Sequence, residues 1–163
     1  MSRCIWVHAG AYGEFINLLP LLDALHTRDS KLNFVLSTNF WDLLNQNLNA
    51  YRSYLQPTPV HLARLSYFQL RRLFKNPPIL WLSYTSVVEV KLLRMCSLYQ
   101  VPVICLYEGF FCTSIPNFAQ KRLKPLWNTT TAITTSKRKM DELVQLGIPP
   151  TQIKSLKSVK WTR

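Results

Sequence analysis

Glycine is scarce in this chain, with four residues in 163, and acidic residues are scarcer still relative to their opposites: eight Asp and Glu against 20 Lys and Arg. No apolar run reaches the roughly 18 residues that a membrane-spanning helix needs. One early Arg3 followed by a strand-like run is not a signal peptide. There is no CxxC pair among Cys4, Cys96, Cys105 and Cys112. His8, His26 and His61 add no ligand spacing to them, so no metal site is expected and the thiols are expected to be free in a reducing compartment. Gly10-x-x-Gly13 lacks the spacing of a dinucleotide fingerprint, no acid ends the second strand, and no GK[ST] ending marks a phosphate-binding loop. Internal repeats and low-complexity segments are absent. No cofactor is implied.

What is present is globular. Hydrophobic residues make up 48% and charged residues 17%, which excludes a disordered chain. The length suits one domain with a substantial core. The net charge of +12 is uneven: half of the basic residues lie between Lys121 and Arg163, where only Asp141 and Glu142 oppose them. A solvated surface accounts for such a balance, and so does an anionic partner: lipid head groups, phosphorylated glycolipid or nucleic acid. Arg64, Arg71, Arg72 and Lys75 serve any of these. Nucleic acid ranks last, because no base-reading motif accompanies the charge.

Strand-like and helix-like runs alternate. Cys4–Ala9 reads as a buried strand, and Glu14–His26 as a helix carrying Pro20, which predicts a kink or a shifted start. Leu32–Ser37 is a second strand, and Thr38 or Asn39 caps a helix through Leu48. Val60–Ala63 reads as a short strand. Ser66–Lys75 is a helix stopped by Asn76-Pro77-Pro78, and Ile79–Leu82 a strand. Ser86–Tyr99 is a helix and Val101–Tyr107 a strand. A loop at Glu108–Asn117 leads into a helical stretch to about Trp127. Thr131–Thr134 is a strand, and Ser136 caps a helix over Lys137–Leu146 that Gly147 ends. Ile153–Trp161 reads as a last strand.

This order predicts an α/β fold, a three-layer Rossmann-like parallel sheet with helices on both faces. Ligands of such sheets bind outside the carboxyl ends of the strands. Gly10–Glu14, Ser37–Asn39, Ser83–Ser86 and Glu108–Ser114 then share one rim. Glu14 sits where the first strand gives way to the first helix. Two accounts of it stand side by side. An acid in a first turn is favoured by the helix dipole, by about 0.3–1 kcal/mol. A general base needs a carboxylate within hydrogen-bond reach of an acceptor hydroxyl, and desolvation to offset the dipole's lowering of its pKa.

Trp6-x-His8-Ala9-x-x-x-Gly13-Glu14, followed by Pro20-Leu21, resembles the start of the acceptor-side domain of bacterial 3-deoxy-D-manno-octulosonic acid (Kdo) transferases. Gln100-Val101-Pro102-Val103-Ile104 is similar to that family's "GIPVV" strand, and Leu32–Thr38 to its second strand. The stretch from Ser114 through Arg122-Leu123-Lys124-Pro125-Leu126 to Leu146-Gly147 is similar to its next helix, strand and helix. The resemblance implies one half of a GT-B glycosyltransferase of lipopolysaccharide inner-core synthesis, with residues 1–163 as its N-terminal domain and the C-terminal donor domain absent. It implies a CMP-Kdo donor and a lipid A acceptor, with Glu14 as the base that activates the lipid A hydroxyl. His8 and Gly13 match supporting positions, and Ser37, Thr38 and Ser114 match rim positions nearer the acceptor.

The chain departs from that pattern in two places. Thr85-Ser86-Val87-Val88-Glu89-Val90 stands where the family has E-T-E-x-W-P, and Tyr107-Glu108-Gly109 where it has Asn-Ala-Arg. The resemblance and the basic charge together imply as partners a lipid A-like phosphorylated glycolipid, an anionic membrane surface and a separate donor-binding domain. The expected location is cytoplasmic, peripheral to the cytoplasmic membrane. A non-catalytic basic module that binds anionic lipid is the alternative to the transferase.

Overall fold

The computed structural model describes residues 4–38, 52–57, 65–84, 90–107 and 123–156. Seven strands form one sheet in the order β3-β2-β1-β4-β5-β6-β7. They are β1 (Cys4–Ala9), β2 (Asn33–Thr38), β3 (Leu55–Pro57), β4 (Leu80–Tyr84), β5 (Val103–Tyr107), β6 (Thr130–Thr134) and β7 (Ile153–Ser155). Every neighbouring pair is parallel. The helices are α1 (Tyr12–Arg28), α2 (Tyr67–Leu73), α3 (Val90–Leu98) and α4 (Lys137–Gln145). The expected Rossmann-like parallel α/β fold is thus the observed one.

An all-parallel sheet is buried on both faces, so its strands read as nearly continuous apolar runs. Ile5, Val7 and Ala9 face one way and pack with Phe15, Leu18, Leu19 and Leu22 of α1. Those four recur at helical spacing, which lays α1 along β1 and β2. Trp6 faces the other way, with Trp81 and Val103, into a second core under α2, α3 and α4 that holds Leu70, Phe74, Leu92, Leu93 and Leu143. Burying one such large side chain contributes about 1.5–3 kcal/mol. Trp127 is fully buried in this core, and its indole N–H donates to the Leu146 carbonyl at 3.2 Å.

Several boundaries moved for physical reasons. Pro20 lies inside α1, on its exposed side, and the helix continues through it. The stretch before Trp127 is a 3-10 helix over Lys124–Thr129, started by Pro125. Ser136 precedes α4 with extended backbone, but its side chain makes no capping bond. Gly147 ends α4 at φ 89°, a left-handed turn that glycine adopts without a Cβ penalty. β3 lies at Leu55–Pro57, a three-residue edge strand with proline at its end, where a missing N–H costs the ladder least. The strand expected at Val60–Ala63, the helix expected through Leu48 and the loop at Glu108–Asn117 lie outside the described residues.

Candidate functional site

The strand order reverses direction between β1 and β4, because β2 and β3 lie on one side of β1 while β4 to β7 lie on the other. The crevice outside the carboxyl ends of such a switch point is where open α/β sheets take ligands. β1 ends at Ala9, and the Gly10 amide donates to the Tyr84 carbonyl at 3.3 Å, tying the loop to the end of β4.

Glu14 is the acid at this junction. Its Oε2 accepts from the Gly10 amide at 2.8 Å and from the Ala11 amide at 2.9 Å. Ala11 occupies the N-cap position of α1 and has no side-chain acceptor of its own, so Glu14 reaches back to serve these amides. The carboxyl group is half-buried. Desolvation pushes its pKa above the ordinary value, and the bonds from Ala11 and Gly10 pull it back only in part. The result is a carboxyl held in one orientation, beside the switch point, with a raised proton affinity.

His8 lies one residue before the end of β1 and is buried. Its Nδ1 is 3.0 Å from Ser37 Oγ and 3.2 Å from the Ser37 carbonyl oxygen. With its hydrogen on Nδ1 the ring donates to Ser37, whose carbonyl can only accept; with the hydrogen on Nε2, Nδ1 accepts from the Ser37 hydroxyl instead. In the first case the Ser37 hydroxyl is free to donate to the Val7 carbonyl at 3.4 Å. His8 is in register with Ser37 on β2 and with Ser83 on β4, and Ser83 with Cys105 on β5. His8, Ser37 and Ser83 form a buried polar row near the carboxyl ends of β2, β1 and β4, bordered by the Cys105 thiol of the hydrophobic core.

The structure therefore separates the residues singled out in the sequence. Glu14 and Gly13 lie in the first turn of α1, where Gly13 is exposed and a Cβ added to it meets nothing within 4 Å. His8 and Ser37 are joined inside the sheet. Thr38 is in register with Ala9, on the α1 side of the sheet, and is also buried. Ser114 lies outside the described residues. Among the described residues no group of three His, Cys, Asp or Glu is placed to hold a metal ion.

One cluster was not legible in the sequence. Arg52 donates to Asp23 of α1 through Nε at 3.0 Å and through Nη2 at 3.3 Å, and the Tyr54 hydroxyl donates to the same carboxylate. His26 stacks on Tyr54 with ring centroids 4.4 Å apart. The Arg52 hydrogen bond, aided by Tyr54, holds the Asp23 carboxyl below its usual range. Tyr54 precedes β3, so this cluster joins α1 to the sheet at the end opposite the rim.

No protein-family model matches the chain, and no curated protein matches it in sequence. Solved structures do match its fold. UDP-N-acetylglucosamine 2-epimerase from Rickettsia bellii superposes with a TM-score of 0.62 at 14% identity, over 98% of this chain and 46% of that one. The UDP-GlcNAc 2-epimerase of Neisseria meningitidis, solved bound to UDP-GlcNAc, gives 0.62 at 13% identity, over 93% and 45%. Anabaena HepE, in complex with UDP and glucose, gives 0.53 at 15% identity, over 96% and 44%. The chain thus spans less than half the length of these proteins.

These neighbours correct the resemblance to Kdo transferases, and with it the lipid A acceptor, the CMP-Kdo donor and the place in lipopolysaccharide synthesis. The physical reason lies in the motif itself. Trp6–Glu14 encodes a buried strand, a glycine loop and an acid that caps the loop amides, a local device of strand and helix geometry that does not specify a substrate. What the fold comparison establishes for this chain is the GT-B-like half-domain architecture.

Proposed function

We propose that this chain is the sugar-holding half of an enzyme that acts on a nucleotide sugar, with Glu14 as its proton-transferring group. The observation that carries this is the Glu14 carboxyl fixed on the Gly10 and Ala11 amides beside the β1/β4 switch point. A helix N-terminus with free amides attracts phosphate. Here a carboxylate already occupies those donors, and it repels a diphosphate while accepting readily from a sugar hydroxyl. The uracil nucleotide is then held elsewhere, by a companion half. The raised pKa of Glu14 suits an acid or base on a sugar carbon or hydroxyl. Exposed Gly13 leaves room for close approach, and the His8–Ser37 pair stiffens the strand ends beneath. Support for a UDP-sugar comes from fold neighbours whose structures hold UDP-GlcNAc or UDP and glucose.

The test is saturation-transfer NMR on this chain with UDP-N-acetylglucosamine. The hexose protons are expected to receive more saturation than the uridine protons, and Glu14→Gln to weaken the effect. Stronger saturation of uridine, or none from folded protein, overturns the assignment.

As the setting of this activity we infer peripheral attachment to a membrane. The net charge of +12 supports it. Among the described residues no helix is long and apolar enough to cross a bilayer.

A further inference from the structure

The side of the molecule carrying α2 and α3 has an unusual outer face. Leu70 is the residue of α2 that is fully buried. Helical spacing puts Phe68 nearly opposite Leu70, at the outermost position, flanked by Arg71 and Arg72. A solvated helix carries a polar residue there. Phe68 is instead 80% exposed. Neighbouring α3 repeats the arrangement: Leu92, Leu93, Met95 and Cys96 point inward, while Lys91, Arg94 and Leu98 share its outer stripe, with Leu98 58% exposed. The two helices touch, and the Lys91 ammonium donates to the Leu65 carbonyl just ahead of α2. Neither helix contains an acid.

We propose that this α2/α3 face is a docking surface for an anionic lipid bilayer, with Phe68 and Leu98 entering the head-group region and the surrounding Arg and Lys side chains pairing with lipid phosphates. This rests on the inference of peripheral attachment and deepens it by naming the face. Apolar side chains at the outermost positions gain by leaving water, and cations around them gain from the negative surface potential, so the two contributions act on one contact. A nucleic acid uses the cations but leaves the two apolar side chains in water. A protein partner of mixed charge leaves most of the cations unmatched. The bilayer is the partner that matches both features together.

The experiment is co-sedimentation of the protein with phosphatidylcholine vesicles, with and without phosphatidylglycerol, at low and raised salt. Binding is expected only with phosphatidylglycerol and to fall with salt. Phe68→Ser and Arg71→Glu/Arg72→Glu are each expected to lower the partition coefficient about tenfold or more. Both act on exposed side chains, so melting curves should match wild type. Lys154→Glu, at an exposed position of β7, is the charge control for the single reversal Arg72→Glu made alongside the pair, and is expected to change binding far less than that single variant. Wild-type protein that ignores these vesicles overturns peripheral attachment and the docking face together. Wild-type binding that survives the α2 variants, or falls equally with Lys154→Glu, overturns the face alone. Salt-stable self-association lost with Phe68→Ser, without vesicle binding, assigns the patch to a second copy and overturns the proposal. None of these outcomes bears on the UDP-N-acetylglucosamine NMR signal, so the nucleotide-sugar reading stands or falls separately.

Discussion

Glu14 holds the Gly10 amide at 2.8 Å across the first turn of α1, and the same oxygen holds Ala11. Removing the carboxylate therefore takes an acceptor from two loop amides at once, leaving Gly10 its longer bond to the Tyr84 carbonyl at 3.3 Å. Glu14→Ala is expected to lower stability by about 1–2 kcal/mol, within the range for lost helix caps. Glu14→Gln keeps an acceptor oxygen and is expected to cost about half of that. Urea unfolding checks both, and equal losses for the two would show that charge, not hydrogen bonding, fixes the loop.

The same residue makes stability depend on pH. Its pKa is raised in the folded protein, chiefly by desolvation. A carboxyl with a raised native pKa favours the native state when protonated. Its contribution is fully present below the ordinary glutamate value and is lost as pH rises through the higher native value. Asp23 behaves oppositely: its pKa is lowered, so its contribution is present above the ordinary aspartate value and lost as pH falls through the native one. Denaturant midpoints measured from about pH 2 to pH 8 should show both limbs. Glu14→Gln should remove the decline on the upper limb, and Asp23→Asn should flatten the acid limb. If the two variants keep the wild-type profile, these carboxyls are not its source.

Gly13 separates function from stability. A Cβ there meets nothing within 4 Å, and the residue is helical. Gly13→Ala is therefore expected to raise stability by about 0.5–1 kcal/mol. The added methyl projects into the space that the proposed sugar would approach, so saturation transfer to UDP-N-acetylglucosamine should drop while the melting temperature rises. A variant that is stabilised and binds unchanged would place the sugar away from the α1 turn.

The layered architecture and the local features of this fold were legible in the sequence, and the side-chain pairings between distant segments were not. β1 falls on Cys4–Ala9, where the apolar run placed it, because a strand buried on both faces announces itself by composition alone. The position of Glu14 was also legible, as an acid after a glycine loop. Its targets, the Gly10 and Ala11 amides, were not, since main-chain direction leaves no mark on residue identity. Asp23 and Arg52 are 29 residues apart and pair only because β3 lies beside β2, an edge strand too short to show as a pattern. The motif Trp6–Glu14 pointed to the right architecture and the wrong chemistry. Its residues are accounted for by the geometry of a strand, a loop and a capped helix, which carries no substrate information.

The His8–Ser37 pair gives the sharpest test of the strand ends. Nδ1 of His8 faces both the carbonyl and the hydroxyl of Ser37, at 3.2 and 3.0 Å. If Nδ1 carries the hydrogen, the carbonyl alone still satisfies it when the hydroxyl is removed. Ser37→Ala should then cost only about 0.5–1.5 kcal/mol, the net value of one hydrogen bond. His8→Ala removes a ring from a buried site, leaves the Ser37 carbonyl without its donor and opens a void, so about 2–4 kcal/mol is expected. Urea unfolding with unchanged slope reads both losses on one scale. Nitrogen-15 NMR of the imidazole reads the tautomer directly, with the proton expected on Nδ1. A Ser37→Ala loss as large as that of His8→Ala, with the proton found on Nε2, would mean that the hydroxyl donates to the ring. His8 would then be oriented by the serine side chain instead of by the backbone of β2.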